Sequence, residues 1–385
     1  MMSQETTAME HREISSPRVG KFNVYVQGSL KSGVKILTVH DLGCNHTMWA
    51  RFVNHPDVAE ITKRVAWIHV DIPGQEDNAE DLKPDYKFPS MKSLGEDLVC
   101  VLDQLDITQV VCLGEGAGAN IVCRFAMAQP NRVMGVCLIH CTGTTAGFME
   151  SLKDKVINWK LDHIGMNPTA ETYLVLHRFG SSTTEFESAQ NKEQLNKVIE
   201  SFQQSLRSKI NAKNLRRFVE SFLNRTNITD SVGKLQCPAL LVTGSKASFN
   251  HTVHTFHQAM LHKLDKKKVE LLEVEGVANV LEEKTSTLAE SFLYFLQGVG
   301  AIGGVPMPRM VRQSSLDGVG RSRSKSMEEA DQPRGIYSTS PTKGGFLSSS
   351  LPKTVPQEDQ ETNNMETSET EKTGEEGKEP MDVKN

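Results

Sequence analysis

Residues 109–120 read QVVCLGEGAGAN, and the ladder Gly114-Glu115-Gly116-Ala117-Gly118 inside them decides the fold. The apolar run before the glycines reads as a buried strand. The stretch after them, ANIVCRFAMAQP (119–130), reads as a helix stopped by Pro130. Two patterns put a glycine-rich turn between a strand and a helix. One, G-x-S-x-G, is a sharp turn that presents a nucleophile. The other is the dinucleotide fingerprint, which Gly114, Gly116 and Ala119 match as G-x-G-x-x-A. That fingerprint belongs in the first strand–helix unit and needs an acid at the end of the next strand. Here at least three strands precede the turn, and the next one ends Ile139-His140-Cys141. The nucleophile turn is the better match.

Working outward, short apolar runs alternate with helical spacing. FNVYVQGS (22–29) reads as an antiparallel strand, and VKILTVHDLG (34–43) and RVAWIHVDIPGQ (64–75) as buried strands ending in loops. MKSLGEDLVCVLDQLDI (91–107) places Leu94, Leu98, Val101, Leu102 and Leu105 on one helix face. RVMGVCLIH (132–140), PALLVTGS (238–245) and KVELLEVEG (268–276) are further strands, and KTSTLAESFLYFLQG (284–298) is a closing amphipathic helix. Continuous Val/Ile/Leu strands between helices predict an α/β fold, a doubly wound and mostly parallel sheet of about eight strands. Residues 141–237 lack a strong strand but hold QLNKVIESFQQSL (194–206) and NLRRFVESFL (214–223). That predicts a helical cap over the strands' C-terminal ends, where such sheets bind ligands.

Composition bounds the rest. The chain has 385 residues, a net charge of -5 and no apolar run long enough for a transmembrane segment, so neither nucleic acid nor a membrane span is indicated. The 7 cysteines are scattered through apolar runs, as expected of free thiols in a cytoplasmic protein. The opening MMSQETTAMEHREISS lacks the basic start and apolar stretch of a secretory signal. Residues 1–20 are expected to be a flexible N-terminus, 21–298 the folded domain, and 299–385 a disordered tail too poor in apolar groups to offset its ordering entropy. Within that tail, residues 297–350 carry seven basic and four acidic residues, whereas 351–385 carry four and ten. This charge split suits a regulated interaction tail.

The strand–loop order is that of the α/β-hydrolase fold. His40-Asp41-Leu42-Gly43 stands where that fold has its oxyanion loop, and Asp71-Ile72-Pro73-Gly74-Gln75 matches its turn after the next strand. With Phe88-Pro89-Ser90-Met91, the Gly114–Ala119 turn, Leu235-Gln236-Cys237-Pro238 and Tyr294-Phe295-Leu296-Gln297-Gly298, the chain resembles the N-myc downstream-regulated (NDRG) family over roughly residues 20–325. The resemblance implies a hydrolase fold without catalysis, and a signalling or adaptor role in stress response, differentiation or trafficking. It also implies a phosphorylated Arg/Ser-rich tail.

The chemistry read from the residues agrees. A hydrolase of this fold needs a nucleophile at the turn, an acid after the seventh strand and a histidine after the last. Those positions hold Gly116, Ala247 and Asn279. A left-handed backbone at the turn costs a non-glycine residue roughly 1–3 kcal/mol, and glycine removes that strain. In the oxyanion loop, Asp41 after His40 puts a carboxylate where a developing negative charge would have to be stabilised. Glu115 is a conceivable displaced nucleophile, but one residue before the turn's apex its side chain should point elsewhere, and it reads as a polar residue meeting neighbouring loop groups; Cys44 and Ser245 have no evident base and read as loop residues. His40 reads as a hydrogen-bonding loop residue. His251, His254 and His257, following Asn250 as a helix N-cap, have spacing compatible with zinc, but more simply form a solvated helix face. On the insertion helix 214–226, Leu215, Phe218, Val219 and Phe222 form a face that packs on the core; a partner or membrane groove is the lesser reading, with peripheral membrane contact left open.

In the tail, Arg312 lies three before Ser315, and Arg321 and Arg323 lie five and three before Ser326. Both serines suit an Arg-directed protein kinase, and phosphate there would shift a basic segment toward neutrality. No cofactor or metal is expected. Protein partners, bound through the cap and pocket surface and the tail, are the expected ligands. Two alternatives stand beside this: a divergent hydrolase with a displaced nucleophile, and a small-molecule or lipid binder using the vestigial pocket.

Overall fold

Strand formation follows the apolar runs. In the computed structural model, which describes residues 9–31, 33–144, 166, 168–180 and 189–303, the chain opens with strands β1 (Glu10–Ser16), β2 (Gly20–Gln27), β3 (Val34–Val39) and β4 (Val65–Asp71). Helices α1 (Met91–Asp97) and α2 (Val99–Gln104) lead to β5 (Val110–Glu115), α3 (Ala117–Ala128) and β6 (Val133–Ile139). The cap contributes α4 (Pro168–Phe179), α5 (Ala189–Ser208) and α6 (Ala212–Leu223). The chain then returns through β7 (Ala239–Gly244), α7 (Asn250–Lys263), β8 (Val269–Val274), the short α8 (Val280–Glu283) and α9 (Thr285–Gly298).

The eight-stranded sheet has the order β1-β2-β4-β3-β5-β6-β7-β8. The β1–β2 and β2–β4 pairs are antiparallel; the other pairs are parallel. Strand β3 lies between β4 and β5, so consecutive crossovers leave it in opposite directions. A crevice therefore opens at the C-terminal ends of β3 and β5. Side chains alternate between two apolar cores, one on each face: Leu37, Cys112 and Leu138 enter one, and Ile36, Leu113 and Ile139 the other. Helix α3 packs on the first face with Ile121, Val122 and Phe125; α9 covers the second with Phe292 and Leu296. All seven cysteines are free thiols, six of them buried.

The single helix expected over 91–107 is two segments meeting at Leu98, whose N–H turns back to the Gly95 carbonyl at 3.3 Å. Its expected apolar face, Leu94 through Leu105, is buried throughout. Gly95 is needed for close packing: a Cβ there would lie 2.8 Å from the Ile121 carbonyl oxygen of α3. Helix α6 buries Leu215, Phe218, Val219 and Phe222, as the periodicity predicts. Asn211 caps it, accepting from the N–H groups of Lys213 and Asn214. Asn214 then fastens the cap to the loop after β4, donating to the Glu80 carbonyl at 2.8 Å and accepting from the Leu82 N–H at 2.9 Å.

The N-terminus departs from the expectation of a flexible residue 1–20 segment. Residues 10–16 form an edge strand paired with β2 along its length. Ile14 and Ser16 turn inward, and Ser16 donates to Asp97 at 2.5 Å while the Arg18 Nε donates to the same carboxylate at 2.6 Å. A buried acceptor on α1 thus rewards ordering a polar stretch, which composition alone does not reveal. Burial opposes the Asp97 charge, but the hydrogen bonds from Ser16 and Arg18 hold its carboxyl below the usual range. Replacing Asp97 by Asn should cost roughly 1–3 kcal/mol at neutral pH. It should also raise hydrogen exchange in β1 selectively; exchange rates like those of the wild-type chain would refute this anchoring.

Candidate functional site

Strand β5 ends at Glu115, and Gly116 turns the chain into α3 with φ 53° and ψ -112°. This is the strained turn of a nucleophile-bearing enzyme, with no side chain on it. A Cβ built on Gly116 would overlap the carboxylate of Asp41, which therefore fills the place of the absent nucleophile. Asp41 is held there by amide groups. The Ala117 N–H, first in α3, donates to its Oδ1 at 2.8 Å, and the Leu42 N–H contributes to holding the charge. Those positions, the residue after the turn and the loop after β3, are where this architecture places its oxyanion donors. The helix N-terminus adds its own preference for negative charge.

From the cap, His177 Nε2 reaches both Asp41 oxygens, at 3.1 and 3.0 Å. Burial opposes ionisation of Asp41, but the His177 charge and the Ala117 and Leu42 N–H groups outweigh it and lower the carboxyl's pKa. Phe249 and Phe222 enclose the imidazole with ring centroids at 4.8 and 5.7 Å. His40 acts as a loop brace: Nδ1–H donates to the Asp41 carbonyl at 2.8 Å and Nε2 accepts from the Ile72 N–H at 3.0 Å. Burial keeps this ring below its ordinary pKa.

A second charged group adjoins the first. Glu115, 1% exposed, accepts from Asn279 Nδ2 at 2.7 Å and faces Arg178 Nε at 3.5 Å. Arg178 also pairs with Glu282 at 2.8 Å. Burial pushes the Glu115 carboxyl up to about 7, against the pull of Arg178; Asp41 and Glu282 push the same way as burial. Asn279 is the N-cap of α8: its Oδ1 accepts from the Glu282 N–H at 3.0 Å.

The structure thus brings Gly116, Asp41, Glu115 and Asn279 together, with His40 behind them. Ala247, in the loop after β7, contributes only a methyl group. Cys44 is buried, which raises its thiol pKa, and Ser245 accepts from the Gly276 N–H at 2.9 Å, tying the loop after β7 to the turn after β8. Among the described residues no three His, Cys, Asp or Glu side chains are arranged for a metal; His254 pairs with Glu273 at 3.2 Å. Asn250 is not the cap of its helix. It opens α7 from within, and its side chain bonds the Gly244 carbonyl and Glu273. Ser315 and Ser326 lie outside the described residues. His177, Arg178 and Glu282 escaped sequence reasoning. Their only local signal is a His-Arg pair ending the apolar run of residues 173–176.

The profile of the Ndr family matches residues 12–303. An uncharacterised protein of Caenorhabditis elegans is 44% identical over 333 residues, covering 85% of this chain and 94% of its own. Protein NDRG1 of Xenopus tropicalis is 33% identical over 288 residues, 72% of this chain and 68% of the relative. Among solved structures, a thermophilic esterase from Thermogutta terrifontis superposes with a TM-score of 0.57 at 14% identity, over 75% of this chain and 99% of that one. An enol-lactonase from Burkholderia xenovorans gives 0.57 at 16%, over 74% and 100%. At such identities the likeness concerns the fold.

Glu115 supplies a pH test. A carboxyl raised above its ordinary 4.5 to about 7 favours the folded state when protonated; that contribution is full below 4.5 and lost as pH rises through 7. Glu115→Gln should therefore exceed the wild-type chain in stability at pH 8 by roughly 3 kcal/mol. The gap should close toward pH 4.5 in urea unfolding. A gap that stays constant across that range would rule out a raised Glu115.

Proposed function

The chain belongs to the Ndr family, and we propose that it works without catalysis, as a signalling or adaptor protein built on a hydrolase fold. One observation carries this: the Asp41 carboxylate occupies both the nucleophile's place above Gly116 and the amide groups that would stabilise an oxyanion. A transition-state oxyanion would meet a fixed negative charge there instead of donors. The absence of a side chain at Gly116, with Ala247 and Asn279 at the other two triad positions, supports the same reading, because loss of triad members costs several orders of magnitude in rate.

The function then lies in binding. Protein partners engage the cap surface and the tail, in the cytoplasm, with stress response, differentiation or trafficking as the setting the family resemblance implies. An Arg-directed kinase acting on Ser315 and Ser326 changes the tail's charge and so its partners. Nucleic acid has no part in this reading. No described helix is long and apolar enough to cross a membrane, and membrane contact in this reading is peripheral.

One observation favours a catalytic alternative: the Asp41–His177 pair is a carboxylate beside an imidazole at the right end of the sheet. Its burial counts against it, since Asp41 is 2% and His177 5% exposed. A single experiment separates the two readings. Purified full-length chain and its Asp41→Asn variant are assayed with p-nitrophenyl acetate. Both should match buffer; turnover in the wild-type chain that disappears in the variant would establish Asp41 as a displaced nucleophile. For the tail, Ser315→Ala with Ser326→Ala should change the set of proteins recovered from cells, and an unchanged set would end the regulatory claim.

A further inference from the structure

Beside the filled turn lies a cavity of about 580 Å³, bounded by the loop after β3, the end of α4, helix α5 and the short α8. Its charge is lopsided. Arg51, Arg178, Lys197 and Lys209 line it, and Glu282 is the one acid among its described lining residues. At the inner end Glu282 is shared, 3.2 Å from Arg51 and 2.8 Å from Arg178. Arg178 is 5% exposed as a side chain, and its Nε has no hydrogen-bond partner. Its guanidinium lies 5.2 and 5.3 Å from the ring centres of Phe179 and Phe202. Other carboxylates stand outside the cavity: Glu115 at 3.5 Å behind Arg178, Glu193 at 2.7 Å from Lys197 and Asp77 at 3.3 Å from Lys209. Glu115 carries its charge only part of the time near neutrality, since burial pushes it up to about 7. Two guanidinium groups with one full carboxylate between them leave positive charge to spare.

The opposite wall is α5. Ser201, Ser205 and Ser208 follow one another along its cavity face, and the hydroxyls of Ser201 and Ser205 have no protein partner among the described residues. A cationic inner end and a hydroxyl-bearing wall suit one kind of ligand. We propose that this cavity binds a small phosphate monoester of a polyol, with its phosphate on Arg51 and Arg178 and its hydroxyl groups on Ser201 and Ser205. Paired guanidinium groups match phosphate oxygens in geometry and charge, and the volume is ordinary for a small-molecule site. A free metabolite fits better than a lipid headgroup, because Met9 is the one exposed large hydrophobic side chain among the described residues. The site needs no catalytic group, so it is independent of whether the Asp41 region is inert.

The test is isothermal titration of the full chain with glycerol 3-phosphate at pH 7. Expected are saturable binding, no binding of glycerol and weaker binding of inorganic phosphate. Arg51→Gln should weaken binding about tenfold. Ser201→Ala with Ser205→Ala should reduce glycerol 3-phosphate to the level of inorganic phosphate, with unfolding temperatures confirming that these variants fold. No saturable heat, unchanged affinity in Arg51→Gln, or binding confined to phosphatidic acid vesicles would overturn the proposal.

Discussion

A single buried carboxylate organises the upper half of this molecule. Asp41 lies at the switch point of the sheet, held by the first N–H of α3 and by a cap imidazole. A charge taken out of water is tolerated only when paired and hydrogen-bonded. Glycine at 116 leaves the carboxylate its space, and α4 must bring His177 to it across 136 residues of chain. Such a buried pair is weak evidence for net stability, because desolvation consumes most of its attraction. What it does confer is a cost for any other placement: a cap shifted from this seat would leave Asp41 without its imidazole partner.

The next residue of the same helix repeats the arrangement. Arg178 enters between Glu115, at the tip of β5, and Glu282 on α8. Asn279 ties these elements together, donating to Glu115 and to the Arg178 carbonyl while capping α8. Glu115, Arg178, Asn279 and Glu282 thus form a polar network joining cap to sheet. Low local dielectric strengthens the bonds such a network makes and raises the cost of those it leaves unmade, here at Glu115 Oε2 and Arg178 Nε.

Much of the fold was legible in the sequence. Apolar runs of four to eight residues between helical patterns gave the strands, and the glycine turn at 114–118 marked their C-terminal edge. Counting along strand ends also singled out Gly116, Ala247 and Asn279, and Gly116 does stand at the turn between β5 and α3. The rest was not. The edge strand at residues 10–16 depends on a buried Asp97 some 81 positions away. That Asp41 fills the nucleophile's space, beyond merely standing nearby, depends on the β3–β5 register and on His177. Pairings between distant charged side chains leave no periodic trace, so local pattern cannot find them. The break at Leu98 is a matter of α1 settling against α3 at Gly95.

The overlap between a side chain at 116 and the carboxylate at 41 also couples the two positions in substitution. A serine at position 116 would displace the Asp41 carboxylate, since its first carbon overlaps those oxygens. Losing Asp41 would leave the His177 imidazole without its hydrogen-bond partner. Neither single change is free, and the two sites constrain each other in the manner of an epistatic pair.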